Sequence, residues 1–420
     1  MALGAIIEQG AYSVGNFMVL LLIARWCSRA EYGAFATAYS IYILALETQN
    51  ALILDPLLIF GRSRYAAIKL AYVCSMEKVT LCITSLPAAL IASSGLVAGI
   101  GFGRTALSLN LVLCAAAFLV TAWFLFLRRS FYVMERPGQS IPATLLYLTS
   151  ALVILFSFKQ WCQQVQAYCG FLTLTAAGLA GGLLARRMLR GPTSVPATDV
   201  PNFKRLVHEH WTFGRWQAGA GILNSTTNHL QVILAAAILG VEAAGALRAM
   251  YLLIQPALQL IIVLLILGMG NLSAWLENRP TGQSKPALRS TYLVPLAVSM
   301  VYALLMYTFA ESVEGVLFAG KYHEYLYLLP PMLFVPLVFS VFAYEFVLFM
   351  SFGIQKYLLP AAAITGATSM CLSYILNLKY GLYGASLSYL ICGLVAALVN
   401  LALLYIAVRR KISPNLSLLH

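Results

Sequence analysis

The chain has 420 residues, of which 61% are apolar and only 10% charged, with a net charge of +13 and a mean hydropathy of +0.84. Soluble domains carry about 25% charged residues, so this composition excludes a water-soluble globular protein. No stretch outside the apolar segments is long enough for a soluble catalytic domain.

A bilayer core takes about 20 apolar residues per helix. Twelve such spans are predicted, at 5–26, 32–54, 79–100, 106–127, 141–158, 164–185, 213–239, 246–270, 291–309, 326–349, 357–376 and 382–408. The fold class is therefore all-α and polytopic. In the first span Glu8, Tyr12 and Asn16 share a helix face, and Arg25 stands near its end. The second follows after a tight connector with no small-residue cleavage pattern, so no cleavable signal peptide is expected. It carries Ser40, Glu47 and Asn50 on one face, and Asp55-Pro56 is read as closing it. Gly95, Gly99 and Gly103 end the third span as a small-residue ladder for close helix approach.

After six spans comes a basic, proline-bearing stretch, 186–210, with Pro192, Pro196 and Pro201. Such composition makes a semi-extended linker. It divides the chain into an N-terminal lobe (1–190), a cytoplasmic linker (191–210) and a C-terminal lobe (211–420). His208 and His210 in the linker read as a solvated pair. Past Arg215, the seventh span sets Gln217, Gly221, Asn224, Asn228 and Gln231 at steps of four and three, which is one helix face. The eighth repeats the pattern with Arg248, Tyr251, Gln255 and Gln259 beside Pro256. Spans three to six and nine to twelve are poorer in polar groups, with Glu345 their one buried acid. Interior prolines (Pro87, Pro256, Pro295, Pro336) are tolerated where neighbours re-satisfy freed carbonyls.

Charge sets the orientation. With the N-terminus inside, 20 of the 27 Lys and Arg fall on the cytoplasmic side, leaving Arg25, Arg29, Arg104, Lys159, Arg248, Lys321 and Lys379. Both termini are then cytoplasmic. Topology and anionic-lipid contact account for the basic loops, and nucleic acid is not an expected partner. The eight scattered cysteines read as apolar fillers. No HExxH, P-loop, GxSxG or metal-spaced Cys/His cluster is present, so no catalytic residue, metal or cofactor is expected.

Polar side chains facing lipid are costly. Four stripes confined to the first two helices of each half therefore imply a shared hydrophilic cavity, against the plainer reading of interhelical hydrogen bonding. The halves also share an echo. Glu31-Tyr32-Gly33-Ala34 leads to Tyr39, Gly245-Ala246 leads to Tyr251, and a looser copy runs from Tyr383-Gly384-Ala385 to Tyr389. Aligned on the glycines, Ala36 in the first copy faces Arg248 in the second, which puts that charge in one lobe only. Six spans per half make the halves parallel repeats about an axis along the membrane normal.

The opening segment, with Ala24-Arg25-Trp26, Glu31-Tyr32-Gly33, Leu54-Asp55-Pro56-Leu57 and Phe60-Gly61, resembles the polysaccharide transporter family. That family belongs to the multidrug/oligosaccharidyl-lipid/polysaccharide (MOP) exporter superfamily. The resemblance implies a MATE-like fold of two six-helix lobes in the bacterial inner membrane. It also implies alternating-access flipping of an undecaprenyl-pyrophosphate oligosaccharide for surface polysaccharide synthesis, beside polymerase and glycosyltransferase partners. Pyrophosphate needs cationic contacts, best made by Arg, which selects Arg215 and Arg248, with Arg25 behind them. Asn224, Asn228, Gln231, Gln255 and Tyr251 would meet the sugar, and Glu8 or Glu47 would bind a coupling ion or pair with an Arg. A MATE-like drug or cation antiporter is the nearest alternative, and a membrane-embedded polysaccharide polymerase or ligase the second.

Overall fold

A computed structural model describes residues 2–102, 105–162, 164–190, 202–278, 285–351 and 357–416. Nearly all of this is helix: α1 (Ala2–Trp26), α2 (Arg29–Gln49), α3 (Asp55–Arg62), α4 (Lys69–Phe102), α5 (Thr105–Val133), α6 (Ile141–Trp161), α7 (Tyr168–Arg190), α8 (Phe203–Ile238), α9 (Val241–Asn278), α10 (Lys285–Phe318), α11 (Leu329–Leu333), α12 (Val335–Ser351) and α13 (Leu358–Leu416). No strand occurs among the described residues, and nine helical segments there are long and apolar enough to cross a membrane. Helices are what an apolar solvent demands, because all their backbone polar groups are satisfied within the segment.

Two compact units divide the chain, Met1–Ile222 and Leu223–His420. In the first, α5 is the central helix and packs on α4, α7 and α2, while α6 lies against α1 and α7. Its side chains Phe118, Phe124 and Phe126 are wholly buried. Small residues set the closest crossings. A Cβ on Gly95 would stand 2.9 Å from Leu111 Cβ, and one on Gly99 2.6 Å from Ser108 Oγ, so α4 and α5 touch along the expected ladder. Gly103 lies outside the described residues. In the second unit α9 packs on α10 and α12, and α12 on α13.

The expected stop at Asp55-Pro56 is not a stop. Asn50–Leu54 forms a π-helical turn, and the helix runs on through α3 to Arg62. The physical reason is Pro56: without an N–H it cannot bond the carbonyl of Leu52, four residues back. The ladder is instead widened, with Asp55 N–H bonding Asn50 O. The basic linker also ends earlier than composition suggested. Residues 203–210 are the first two turns of α8 and pack into the first unit, with Leu206 and His210 fully buried.

All three copies of the echo follow a sharp reversal. Ser28 caps α2 by accepting from Glu31 N at 3.2 Å, Gly240 (φ +98°) precedes α9, and Gly381 (φ +58°) breaks α13 in two. Positive φ is open to glycine at no steric cost.

Candidate functional site

The first-helix stripe comes together as a buried network in the first unit. Glu8 is fully buried and receives Arg128 Nε at 2.5 Å, Thr144 Oγ1 at 2.7 Å and Tyr132 Oη at 2.9 Å. The Arg128 guanidinium lies 3.9 Å from the centre of the Tyr12 ring. Tyr147 stacks on Phe124 and donates to Asn16 Oδ1 at 2.7 Å, while Asn16 donates to Tyr12 O. Three helices, α1, α5 and α6, thus meet around one ion pair through contacts that no single helix encodes. Arg128, counted above as a topology charge in a loop, is only 5% exposed. The first unit therefore buries an arginine too, supplied by α5 instead of α2. Helical spacing revealed Glu8, Tyr12 and Asn16, but nothing local marks Arg128 as their partner.

Glu47 is half-buried on α2, hydrogen-bonded to Asn50 and within reach of the Asp55 charge. Asp55 accepts from Gln217 Nε2 at 2.6 Å, and the Arg129 charge also acts on it. Glu345 is joined by two buried acids that the span reading missed, Glu77 and Glu314. Glu77 accepts from Trp123 Nε1 at 2.9 Å and from Arg190 at 2.6 Å, and pairs with Arg186 at 3.0 Å.

His210 corrects the reading of a solvated linker pair. Its Nδ1 meets Leu52 O at 3.2 Å, and its Nε2 meets Tyr72 Oη at 2.8 Å. Leu52 O can only accept, so Nδ1 carries the proton and Nε2 accepts from the tyrosine. Leu52 O is the carbonyl that Pro56 leaves unbonded, so His210 repairs the break in α2. Gly214, one turn on, brings α8 to backbone contact, since a Cβ there would lie 2.5 Å from Ala51 O. His210 sits before the apolar part of α8, and burial pushes its imidazole down to about 4. Beside it, Glu209 accepts from Tyr65 and Arg205 and pairs with Arg64 at 2.8 Å. Burial raises that carboxyl, but the bonds from Arg205 and Tyr65 and the nearby arginine charges outweigh it and hold it below its ordinary value.

In the second unit the eighth-span stripe forms a second buried cluster. Arg248 is 3% exposed and stands 5.2 Å from the Tyr251 ring centre. Tyr251 packs on Tyr389 with ring centres 5.2 Å apart, so the echoed tyrosines of the second and third copies meet. The Arg248 charge acts on His229, Tyr251 and Tyr389. Among the described residues His229 Nδ1, Gln255 Oε1 and Tyr389 Oη are buried without a hydrogen-bond partner. His229 and Tyr389 were not expected here. Tyr389 was visible only as the third echo, and His229 stands next to Asn228, one position off the amide stripe.

The other expected site residues are placed differently. Gln231 is fully buried and spends its amide between helices, donating to Ser373 Oγ and accepting from Ser388 Oγ, each at 2.6 Å. Arg215 is exposed, 5.2 Å from the Trp216 ring centre and in the first unit. Arg25 is exposed in the last turn of α1. The side chains of Asn224 and Asn228 lie outside the described ones.

No protein-family model matches the chain, and no curated protein matches it in sequence. Solved structures do match in fold. An inward-facing multidrug-resistance MATE-family transporter of the MOP superfamily aligns with a TM-score of 0.78 at 11% identity, over 97% of this chain and 98% of that one. The lipid II flippase MurJ in an inward closed conformation aligns with a TM-score of 0.68 at 11% identity, over 96% and 87%. A MOP-superfamily transporter from Pyrococcus furiosus, described as having a binding pocket of reversed polarity, aligns with 0.65 at 11%, over 97% and 94%. The chain is a multi-pass membrane protein whose fold is that of MOP-superfamily transporters.

Proposed function

We propose that this protein is a twelve-span flippase that carries a pyrophosphate-linked oligosaccharide on a polyprenyl lipid from the cytoplasmic to the periplasmic leaflet of a bacterial inner membrane. The twelve crossings are α1, α2 with α3, α4 to α10, α11 with α12, and the two halves of α13 either side of Gly381. The observation that carries the reading is the Arg248 cluster. A buried arginine flanked by two tyrosines, with an imidazole nitrogen, an amide oxygen and a phenol that have no hydrogen-bond partner among the described residues, suits a ligand bearing both oxyanions and hydroxyls. Phosphate oxygens complement the guanidinium, and sugar hydroxyls can donate to Gln255 Oε1 and exchange hydrogen bonds with Tyr389. A lipophilic cation would meet like charge there.

Within this proposal Arg248, Tyr251 and Gln255 contact substrate, with His229 and Tyr389 added to them, and Asn224 and Asn228 follow on the same helix as His229. Gln231 holds α8 against α13. The exposed Arg215 and Arg25 attract the anionic headgroup. Glu47 is the better ion-coupling candidate, because Glu8 is closed off by Arg128, Tyr132 and Thr144.

A MATE-like cation antiporter is the second reading, favoured by the proximity of Glu47 and Asp55 in the first unit. Reconstituted protein separates the two. Proteoliposomes should move a fluorescent undecaprenyl-pyrophosphate saccharide between leaflets and leave ethidium gradients untouched. Ethidium transport without saccharide transfer would reject the flippase reading in favour of the antiporter.

A further inference from the structure

Independently of that reading, we propose that the first unit binds one anionic phospholipid, with its phosphodiester on Arg186 and Arg190 and an acyl chain along Leu179 and Leu183. Both arginines stand in the last two turns of α7, where that apolar span ends. Steps of four, three and four put Leu179, Leu183, Arg186 and Arg190 on one helix face. The two leucines are 42% and 58% exposed, so an apolar stripe open to lipid runs directly into the two charges.

One buried acid turns that pair into a fixed site. Glu77 on α4 meets Arg186 Nε at 3.0 Å and Arg190 at 2.6 Å, and it accepts from Trp123 Nε1 of α5 at 2.9 Å. A Cβ on Gly182 would run into the Trp123 ring, so α7 packs close enough for the bridge. The Glu77 side chain is buried, while those of Arg186 and Arg190 remain 43% and 46% exposed. Two cations against one carboxylate leave a surplus positive charge, and each guanidinium carries five N–H groups, more than one carboxylate can use. Orientation in the membrane asks only for positive charge. Here the side-chain entropy of two long arginines is already spent in folding, which favours capture of a phosphate. A phosphodiester supplies the missing negative charge and its acyl chains match the leucines. A headgroup ammonium, as on a zwitterionic lipid, would meet like charge.

The full-length protein in detergent is titrated with phosphatidylglycerol or phosphatidylcholine, and bound lipids are counted by native mass spectrometry. The first phosphatidylglycerol should bind about thirtyfold tighter than the first phosphatidylcholine, the scale of two basic contacts. Arg190→Gln should cut that preference to about fivefold, the share of the one contact left. Arg136→Gln, which removes an exposed charge of the same unit, should leave the preference intact. So should Arg248→Gln, which separates this lipid from the proposed substrate. Arg190→Lys keeps the charge but loses the planar fork, and should weaken phosphatidylglycerol by at least about threefold; it carries the test if the Gln variant does not fold. Inorganic phosphate in about a hundredfold excess should not displace the lipid, because it buries no apolar chain. Equal affinity of the two lipids in the wild type, wild-type binding in Arg190→Lys, an equal loss in Arg136→Gln or Arg248→Gln, or displacement by inorganic phosphate would overturn the proposal.

Discussion

Replacing Arg128 with Met should destabilise the first unit strongly, and the damage should be largely undone by a second change at Glu8. Among the described residues the Glu8 carboxylate has three donors, of which Arg128 is the cation, and the Arg128 guanidinium lies over the Tyr12 ring. Removing the cation leaves a buried carboxylate held by two neutral hydroxyls. Breaking a buried pair in this way costs about 3–5 kcal/mol, and loss of the guanidinium over Tyr12 adds about 1–2 kcal/mol. Glu8→Gln alone leaves the arginine charge buried and should cost about 2–4 kcal/mol by the same reasoning. Removing both charges replaces the pair by neutral groups of similar volume, which is often close to neutral. The double-mutant cycle should therefore give a coupling of at least about 2 kcal/mol, read from denaturant unfolding of detergent-solubilised protein. Additive losses in the double variant would show that the two charges do not depend on each other and would refute the network.

Acidification should loosen the first unit through His210. Its folded value is depressed to about 4 from 6.5, so the neutral form is the stable one. That stability is complete above about pH 6.5 and is lost as pH falls towards 4, at about 1.4 kcal/mol per pH unit. A melting profile between pH 7.5 and 5 should show the loss, and His210→Gln should flatten it; a wild-type profile with no slope there would contradict the assignment. Gly214→Ala should destabilise by about 1–3 kcal/mol, as overpacking does, because the added methyl meets the backbone of Ala51 and Leu52, not a flexible side chain. Unchanged denaturant midpoints in that variant would mean α8 does not seat on the π-helical turn. Gly381→Ala should cost about 1 kcal/mol or more, since a side chain is strained at φ +58°. A gain in stability would show that the break in α13 is not needed.

Local rules made much of this legible. Apolar length disclosed the helices, and three-and-four spacing disclosed the faces of Glu8, Tyr12 and Asn16 and of Arg248, Tyr251 and Gln255. The echoed Tyr251 and Tyr389 end in ring contact, so a repeat read as a mark of duplication also marks the second buried cluster. What stayed hidden is tertiary. Arg128 looks like a loop charge until α1 and α6 are folded against α5, and His210 looks solvated until α2 presents the carbonyl that Pro56 cannot use. Gln231 illustrates the reverse case. Its place on a polar face suggested substrate, yet its partners Ser373 and Ser388 lie more than a hundred residues away and use both ends of its amide. Spacing identifies a face, while burial and distant partners decide what the face does.

The central claim is that the buried arginine of the second unit receives the substrate's phosphates. Its most direct test is the affinity of undecaprenyl pyrophosphate for the protein in nanodiscs, wild type against Arg248→Gln, with Arg215→Gln as the exposed control. A charged hydrogen bond is worth about 1.5–3 kcal/mol, so Arg248→Gln should weaken binding by about tenfold to a hundredfold while the unfolding profile stays native. Arg215→Gln should change affinity by less than about threefold, as expected for an exposed charge. Wild-type affinity in Arg248→Gln, or a larger loss in Arg215→Gln, would contradict the account.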